Sequence, residues 1–289
     1  VIDAYRVEIL EKEQYGAGAA MVQYGYRLGM WVSGGLALIL ADTMGWTFAY
    51  ALMAALMGVG MMGILCSKEP TQALPVPSGG NAGRWLEQTL IAPFSDFMRH
   101  RGWFLLLAFT VLYKLGDAFL GVMTNPFLLD IGFTKTEIGV VVKSFGFVAT
   151  LLGLFLGGLI TYRLGTLRAL WVCGIGHALT NLMFLVQAHV GANVTVLALG
   201  ISLENISGGM TSVAFVAFLS GLCSARFTAT QYALLSSLAA FGRTWLSAPA
   251  GWFAQTLGWE MFFAFAVLLA VPGLVVLWWL GEGKEELDN

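Results

Sequence analysis

Eight stretches of this chain are apolar for long enough to cross a lipid bilayer, and that leaves it few ways to fold. They run at 16–41, 46–66, 103–129, 137–161, 168–189, 194–222, 228–256 and 259–280. A crossing helix needs about 20 apolar residues. Inside hydrocarbon every backbone polar group must be satisfied within the protein, so a spanning chain is restricted to helices or a closed barrel. Runs this long and this continuously apolar fit helices. Of the 289 residues, 58% are hydrophobic and 11% charged, against about 25% charged in soluble domains. The expected fold class is all-α, a polytopic membrane helix bundle seated in a lipid bilayer. The 36 glycines suit it, because small residues let membrane helices approach closely.

Several function classes drop out. A net charge of −2 argues against a nucleic-acid partner. Cys66, Cys173 and Cys223 are far apart and lack metal-ligand or redox spacing. The chain contains no Ser/His/Asp set in a shared soluble region, no metal constellation and no phosphate-binding glycine loop with Lys-Ser/Thr. The expectation is therefore no enzyme, no cofactor and no ATP-driven pump.

Basic residues set the orientation, since cytoplasmic loops collect Lys and Arg. With the hydrophilic linker 67–102 placed inside, the cytoplasmic segments hold Arg6, Lys12, Lys68, Arg84, Arg99, Arg101, Arg163, Arg168, Arg226 and Lys284, and the opposite side holds Lys135 alone. That asymmetry also puts the C-terminus inside. Residues 67–83 carry Pro70, Pro75, Pro77 and a Gly/Ser/Asn run, which reads as coil. Leu86, Leu90, Phe94, Phe97 and Met98 then recur near helical spacing, interleaved with Arg84, Glu87 and Arg99 and interrupted by Pro93. This predicts a short amphipathic helix on the cytoplasmic membrane face.

The segment from Tyr15 to about Leu65 resembles that from Phe227 to about Leu280. Each has a glycine-rich span, a Gly-Trp pair and a second apolar span. Gly45-Trp46 and Gly258-Trp259 lie 213 residues apart, and Tyr15 and Phe227 lie 212 apart. Repeated halves mark secondary transporters. The second half begins near Trp103, so the same offset predicts roughly 110 further residues upstream, room for four spans of about 20 residues with short loops. The chain opens at Val1 with no signal-peptide pattern, and residues 1–10 read as the cytoplasmic end of an earlier span. The expected organisation is residues 1–66 as the end of a first six-helix half, 67–102 as the linker and 103–289 as a complete second half.

Two six-span halves, a cytoplasmic linker and both ends inside describe a partial major facilitator superfamily fold. A local run agrees: Gly157-Gly158-Leu159-Ile160-Thr161-Tyr162-Arg163-Leu164-Gly165-Thr166-Leu167-Arg168 resembles the superfamily's cytoplasmic signature G-x-x-x-D-R-x-G-R-[RK]. Gly165 would turn the chain there. Tyr162 stands in place of the usual acid, which puts a gating salt bridge at that spot in doubt.

Longer runs resemble one family in particular. Val1-Ile2-Asp3-Ala4-Tyr5-Arg6-Val7-Glu8, the run GAGAAMVQYGYRLGMWVSGGLAL from Gly16 to Leu38, Tyr113-Lys114-Leu115-Gly116-Asp117-Ala118-Phe119, Glu204-Asn205-Ile206-Ser207-Gly208-Gly209-Met210 and Ala229-Thr230-Gln231-Tyr232-Ala233-Leu234-Leu235-Ser236-Ser237 are similar to the AmpG family of muropeptide permeases. The resemblance implies a multi-pass bacterial inner-membrane importer that carries anhydro-muropeptides into the cytoplasm for cell-wall recycling, driven by protons. The implied partners are an anionic sugar-peptide and protons, with the protein acting as a monomer. Relatives of the family include acetyl-CoA transporters. Rival readings are therefore a permease for another bulky anion, such as an acyl-CoA or a peptide, or a membrane sensor that binds without transporting.

Six ionisable residues lie deep in the apolar stretches: Asp117, Glu204, Arg27, Lys114, Lys143 and Arg243. A charge at mid-bilayer costs at least about 2.5–3.5 kcal/mol on insertion scales, so such residues face a cavity or a partner. Lys114 and Asp117 are three apart and share a helix face. Asp117 and Glu204 are the candidate proton carriers, with Lys114 tuning Asp117; a fixed structural ion pair is the alternative. Arg27 and Arg243 occupy related places in the repeat and are candidate partners for a substrate carboxylate, which a guanidinium binds as a planar fork. Asn205, Gln23, Tyr24, Gln231 and Asn125, the last beside Pro126, are candidate substrate contacts through amides, hydroxyls and rings; packing is the blander role for each. Lys143 reads as peripheral. His177 suits proton relay by its chemistry, but a lone His in a helix is more often a packed one.

Overall fold

The computed structural model describes residues 2–67, 87, 91–100 and 102–285. Lys68, Arg84, Leu86, Leu90 and Arg101, and the side chains of Lys143 and Lys284, lie outside the described residues, so the linker reading is tested in part only. Every element described is helical. α1 spans Ile2–Ile9, α2 Tyr15–Trp31, α3 Ala37–Met44, α4 Trp46–Cys66 and α5 Ala92–Met98. Across the linker follow α6 Trp103–Leu112, α7 Leu115–Asp130, α8 Lys135–Leu164, α9 Thr166–Val190 and α10 Val194–Leu222. The last four are α11 Thr228–Leu246, α12 Ala250–Leu257, α13 Trp259–Leu268 and α14 Val271–Glu285.

Six of the resulting helical runs are long and apolar enough to cross a membrane: Trp46–Cys66, Trp103–Asp130, Lys135–Leu164, Thr166–Val190, Val194–Leu222 and Trp259–Gly281. The other two expected stretches are helical but interrupted. A π-helical turn, Val32–Leu36, separates α2 from α3, and Ser247–Pro249 separates α11 from α12. These are the two segments related by the internal repeat. An offset of 213 carries Ala37–Met44 onto Ala250–Leu257 at both ends. It also carries Gly45 (φ 84°, ψ 160°) onto Gly258 (φ 74°, ψ 166°), a backbone region natural only to glycine.

Local chemistry fixes the helix ends. Thr134 and Glu137 form a reciprocal capping box at the start of α8: Glu137 N–H donates to Thr134 Oγ1 (3.2 Å) and Thr134 N–H donates to Glu137 Oε2 (2.9 Å). Asn193 Oδ1 accepts from the backbone of Thr195 and Val196 and caps α10. Gly165 turns α8 into α9 at φ 75°, as its place in the signature-like run predicts.

α10 lies against α8 along a seam of small residues. A Cβ on Gly153 would lie 2.2 Å from the Ile206 carbonyl oxygen, and one on Gly157 2.7 Å from Met210 Cα. From the other side, a Cβ on Gly209 would lie 2.9 Å from the Thr150 carbonyl oxygen. α2 joins this pair through Gly16, Ala19 and Ala20, which meet Gly158, Thr161, Leu154, Val213 and Ala217.

Two apolar clusters fill the bundle of α6–α14. One holds Phe109, Tyr113, Cys173, Phe215 and Phe218; the other holds Phe119, Phe127, Phe184, Ile201 and Phe263. On α6/α7, on α9 and on α10 the chain passes from one cluster to the other through a short polar stretch. That polar layer holds the site.

Candidate functional site

The layer begins where α6 gives way to α7. Lys114 leaves helical geometry (φ −102°, ψ 9°), and its carbonyl accepts the Ala118 N–H at 3.0 Å. Asp117 therefore lies in the first turn of α7, where the helix dipole favours a carboxylate. Lys114 Nζ lies 3.3 Å from Asp117 Oδ2 and donates to Ser212 Oγ on α10 at 3.3 Å. The other carboxylate oxygen, Oδ1, is 3.2 Å from His177 Nε2 on α9. His177 Nδ1 is 2.8 Å from Ser207 Oγ on α10, which in turn lies 2.6 Å from Thr180 Oγ1.

Glu204 stands beside this chain of contacts: its carboxylate, that of Asp117 and the His177 ring each present an atom within 4.8 Å of the others. Three such groups at that spacing are a possible metal set. Yet the Lys114 ammonium already supplies Asp117 with the positive charge that an ion would bring. The chemistry also suits holding protons: the Asp117 carboxylate, the His177 imidazole and the Ser207 and Thr180 hydroxyls stand in hydrogen-bond sequence, with the Glu204 carboxylate close by.

A cavity of about 640 Å³ adjoins the layer, walled by Arg27, Trp31 and Gly34 on one side and by Phe147, Thr150 and Asn205 on the other. Trp31 and Phe147 stack across it at 6.3 Å. Asn205 belongs to both places. Its Nδ2 donates to Glu204 Oε2 (2.8 Å), and its Oδ1 accepts from Thr150 Oγ1 (3.0 Å). Arg27 Nε is buried with no acceptor among the described residues.

The structure thus brings Lys114, Asp117 and Glu204 together, and Arg27 and Asn205 together next to them. It does not bring in the rest. Arg243 is exposed on α11 and does not wall the cavity with Arg27. Gln231 is buried at the start of α11, where its amide donates to the Pro93 carbonyl (3.1 Å) and Asp96 Oδ2 (3.0 Å) and accepts from Ser224 N–H (2.7 Å). It ties the linker helix α5 to the bundle. The Tyr24 hydroxyl donates to the Leu151 carbonyl and fixes α2 on α8. Gln23 is half-buried on α2, and Asn125 is exposed beside Pro126 within α7.

His177, Thr180, Ser207 and Ser212 were not among the expected site residues. A signal existed: Lys114–Asp117, His177 and Glu204–Ser207 each fall near the midpoint of their apolar stretch, so they share one depth.

A bundle of membrane helices with an ionisable network at mid-depth, adjoining a largely apolar cavity that carries Arg27, Thr150 and Asn205 in its wall, has the build of a membrane transport protein. Comparison with known proteins gives the family. No family model matches. The chain is 33% identical over 281 residues to a putative transporter, AmpG 4, of Rickettsia conorii, across 96% of this chain and 68% of that protein. With the protein of that name in Rickettsia felis the identity is 32% over 283 residues, 97% of this chain and 68% of the relative. With the anhydromuropeptide permease of Escherichia coli K12 it is 44% over 279 residues, 96% of this chain and 56% of the permease. The chain belongs to the AmpG family, and its helix bundle is part of a major facilitator-type fold. It spans little more than half the length of the E. coli relative.

Proposed function

We propose that the protein is a proton-coupled importer of anhydromuropeptides in the bacterial inner membrane, working as a monomer by alternating access. Residues 1–66 end its first six-helix half and 103–289 form its second; the linker and C-terminus face the cytoplasm. The reading is supported by the similarity to a permease of that name over nearly the whole chain. The single observation that carries it is the position of Asn205. One side chain walls the cavity and also hydrogen-bonds Glu204, so a ligand engaging Asn205 alters the surroundings of a proton-binding carboxylate. Glu204 and Asp117 load and release protons, His177 bonds Asp117 and lies close to Glu204, and Lys114 balances Asp117. Arg27, with an unpaired donor at the cavity wall, takes a carboxylate of the substrate.

The test is uptake of labelled anhydromuropeptide by vesicles holding the complete protein under an imposed proton gradient. Accumulation above equilibrium that a protonophore abolishes supports the reading. Preference for an acyl-CoA or a plain peptide, or binding without accumulation, overturns it.

A further inference from the structure

One buried cation takes no part in the network above. Arg6, on α1, is 5% exposed. Its Nη2 donates to Ser220 Oγ of α10 at 2.8 Å and lies 3.4 Å from Asp3 Oδ1 on its own helix. Its guanidinium carbon is 5.7 Å from the centre of the Tyr232 ring on α11. A single side chain therefore fastens the segment before α2 to two helices from beyond the linker.

The same end of the bundle is shut by α2, where Gly16 abuts Thr161 and Ala20 abuts Gly158. Further along that run of helix the gap widens into the 640 Å³ cavity, and a Cβ on Gly34 would meet nothing within 4 Å. So the bundle is closed at the Arg6 end and hollow towards Gly45. The fastening is also incomplete. Arg6 Nε and Nη1 are buried with no acceptor among the described residues. A buried donor without a partner has lost its bond to water and gained nothing in exchange. Such a contact holds the end shut without making the shut state permanent.

We propose that Arg6 is the latch of the closed end, a positioning residue whose hold on Ser220 and Tyr232 favours the state with the cavity open at the Gly45 end. Its release shifts the protein to the opposite state. This rests on the permease reading in one respect: the two states are those of alternating access.

Accessibility in the full-length, detergent-solubilised protein tests it without any substrate. Cys66, Cys173 and Cys223 are replaced by alanine, and a single reporter is placed by Gly34→Cys in the cavity or by Ala217→Cys behind the closed end. In the parent, a polar maleimide labels the first reporter quickly and the second slowly. Arg6→Gln is expected to raise labelling at 217 about tenfold and to lower it at 34, the reciprocal change of a population shift. Unchanged rates at both reporters overturn the proposal, and so does a rise at both, which signals general loosening. If Arg6→Gln does not reach the membrane, Ser220→Ala removes the acceptor alone. It is expected to shift both reporters the same way by a smaller factor, and no shift in it overturns the latch. A shift in a protein that takes up no anhydromuropeptide removes the proposed substrate and leaves the latch standing.

Discussion

At the scale of residues the argument turns on Asp117, whose two oxygens face two different bases. Asp117→Asn keeps the shape and removes the charge, so gradient-driven uptake should collapse while the purified protein melts within a few degrees of the parent. Lys114→Ala leaves a carboxylate at mid-depth without its ammonium. Its cost should fall short of the roughly 3–5 kcal/mol seen on breaking fully buried pairs, because the Asp117 side chain is a third exposed. The double variant should regain most of the stability lost by Lys114→Ala and none of the transport. A cycle of melting temperatures over the four proteins measures that coupling. The pairing of Lys114 with Asp117 was legible in the sequence because helix geometry places residues three apart on one face. The contact with His177 was not, because 60 residues separate it from Asp117 and no local rule links them.

At the scale of elements, close approach decides the packing. Gly153→Leu must displace the Ile206 backbone, which cannot give as a side-chain tip can. Overpacking of this kind costs about 1–3 kcal/mol or more, so its melting temperature should drop clearly. Span positions were legible because membrane helices announce themselves by length and apolarity. The interruptions were less so. Pro249 and the Gly34-Gly35 pair were visible, yet nothing local in Val32–Leu36 distinguishes a π turn from an α turn. Such turns are often found at functional sites, and here Gly34 and Gly35 form part of the cavity wall.

At the scale of the whole molecule, the cavity and the tether make separable predictions. Gly34→Trp should fill the hollow and stop uptake, since a large ring there enters the space between Trp31 and Phe147 and the facing helices. Gln231→Leu strands its three partners at the foot of α11. Hydrogen exchange over 92–98 should rise while the spans stay protected. The repeat gave the Gly45/Gly258 correspondence in advance, but one offset could not say that Arg27 and Arg243 face different surroundings, because related faces of two repeated helices meet different neighbours in the assembled bundle. The layering of the bundle carries one more consequence. Aromatic and aliphatic side chains above and below the ionisable layer are poor conductors of charge, so on the proton-coupled reading they act as insulation on either side of it. Each elementary charge moved through the whole of a membrane potential gains about 2.3 kcal/mol per 100 mV, so the same reading makes the voltage a driving force alongside the pH difference.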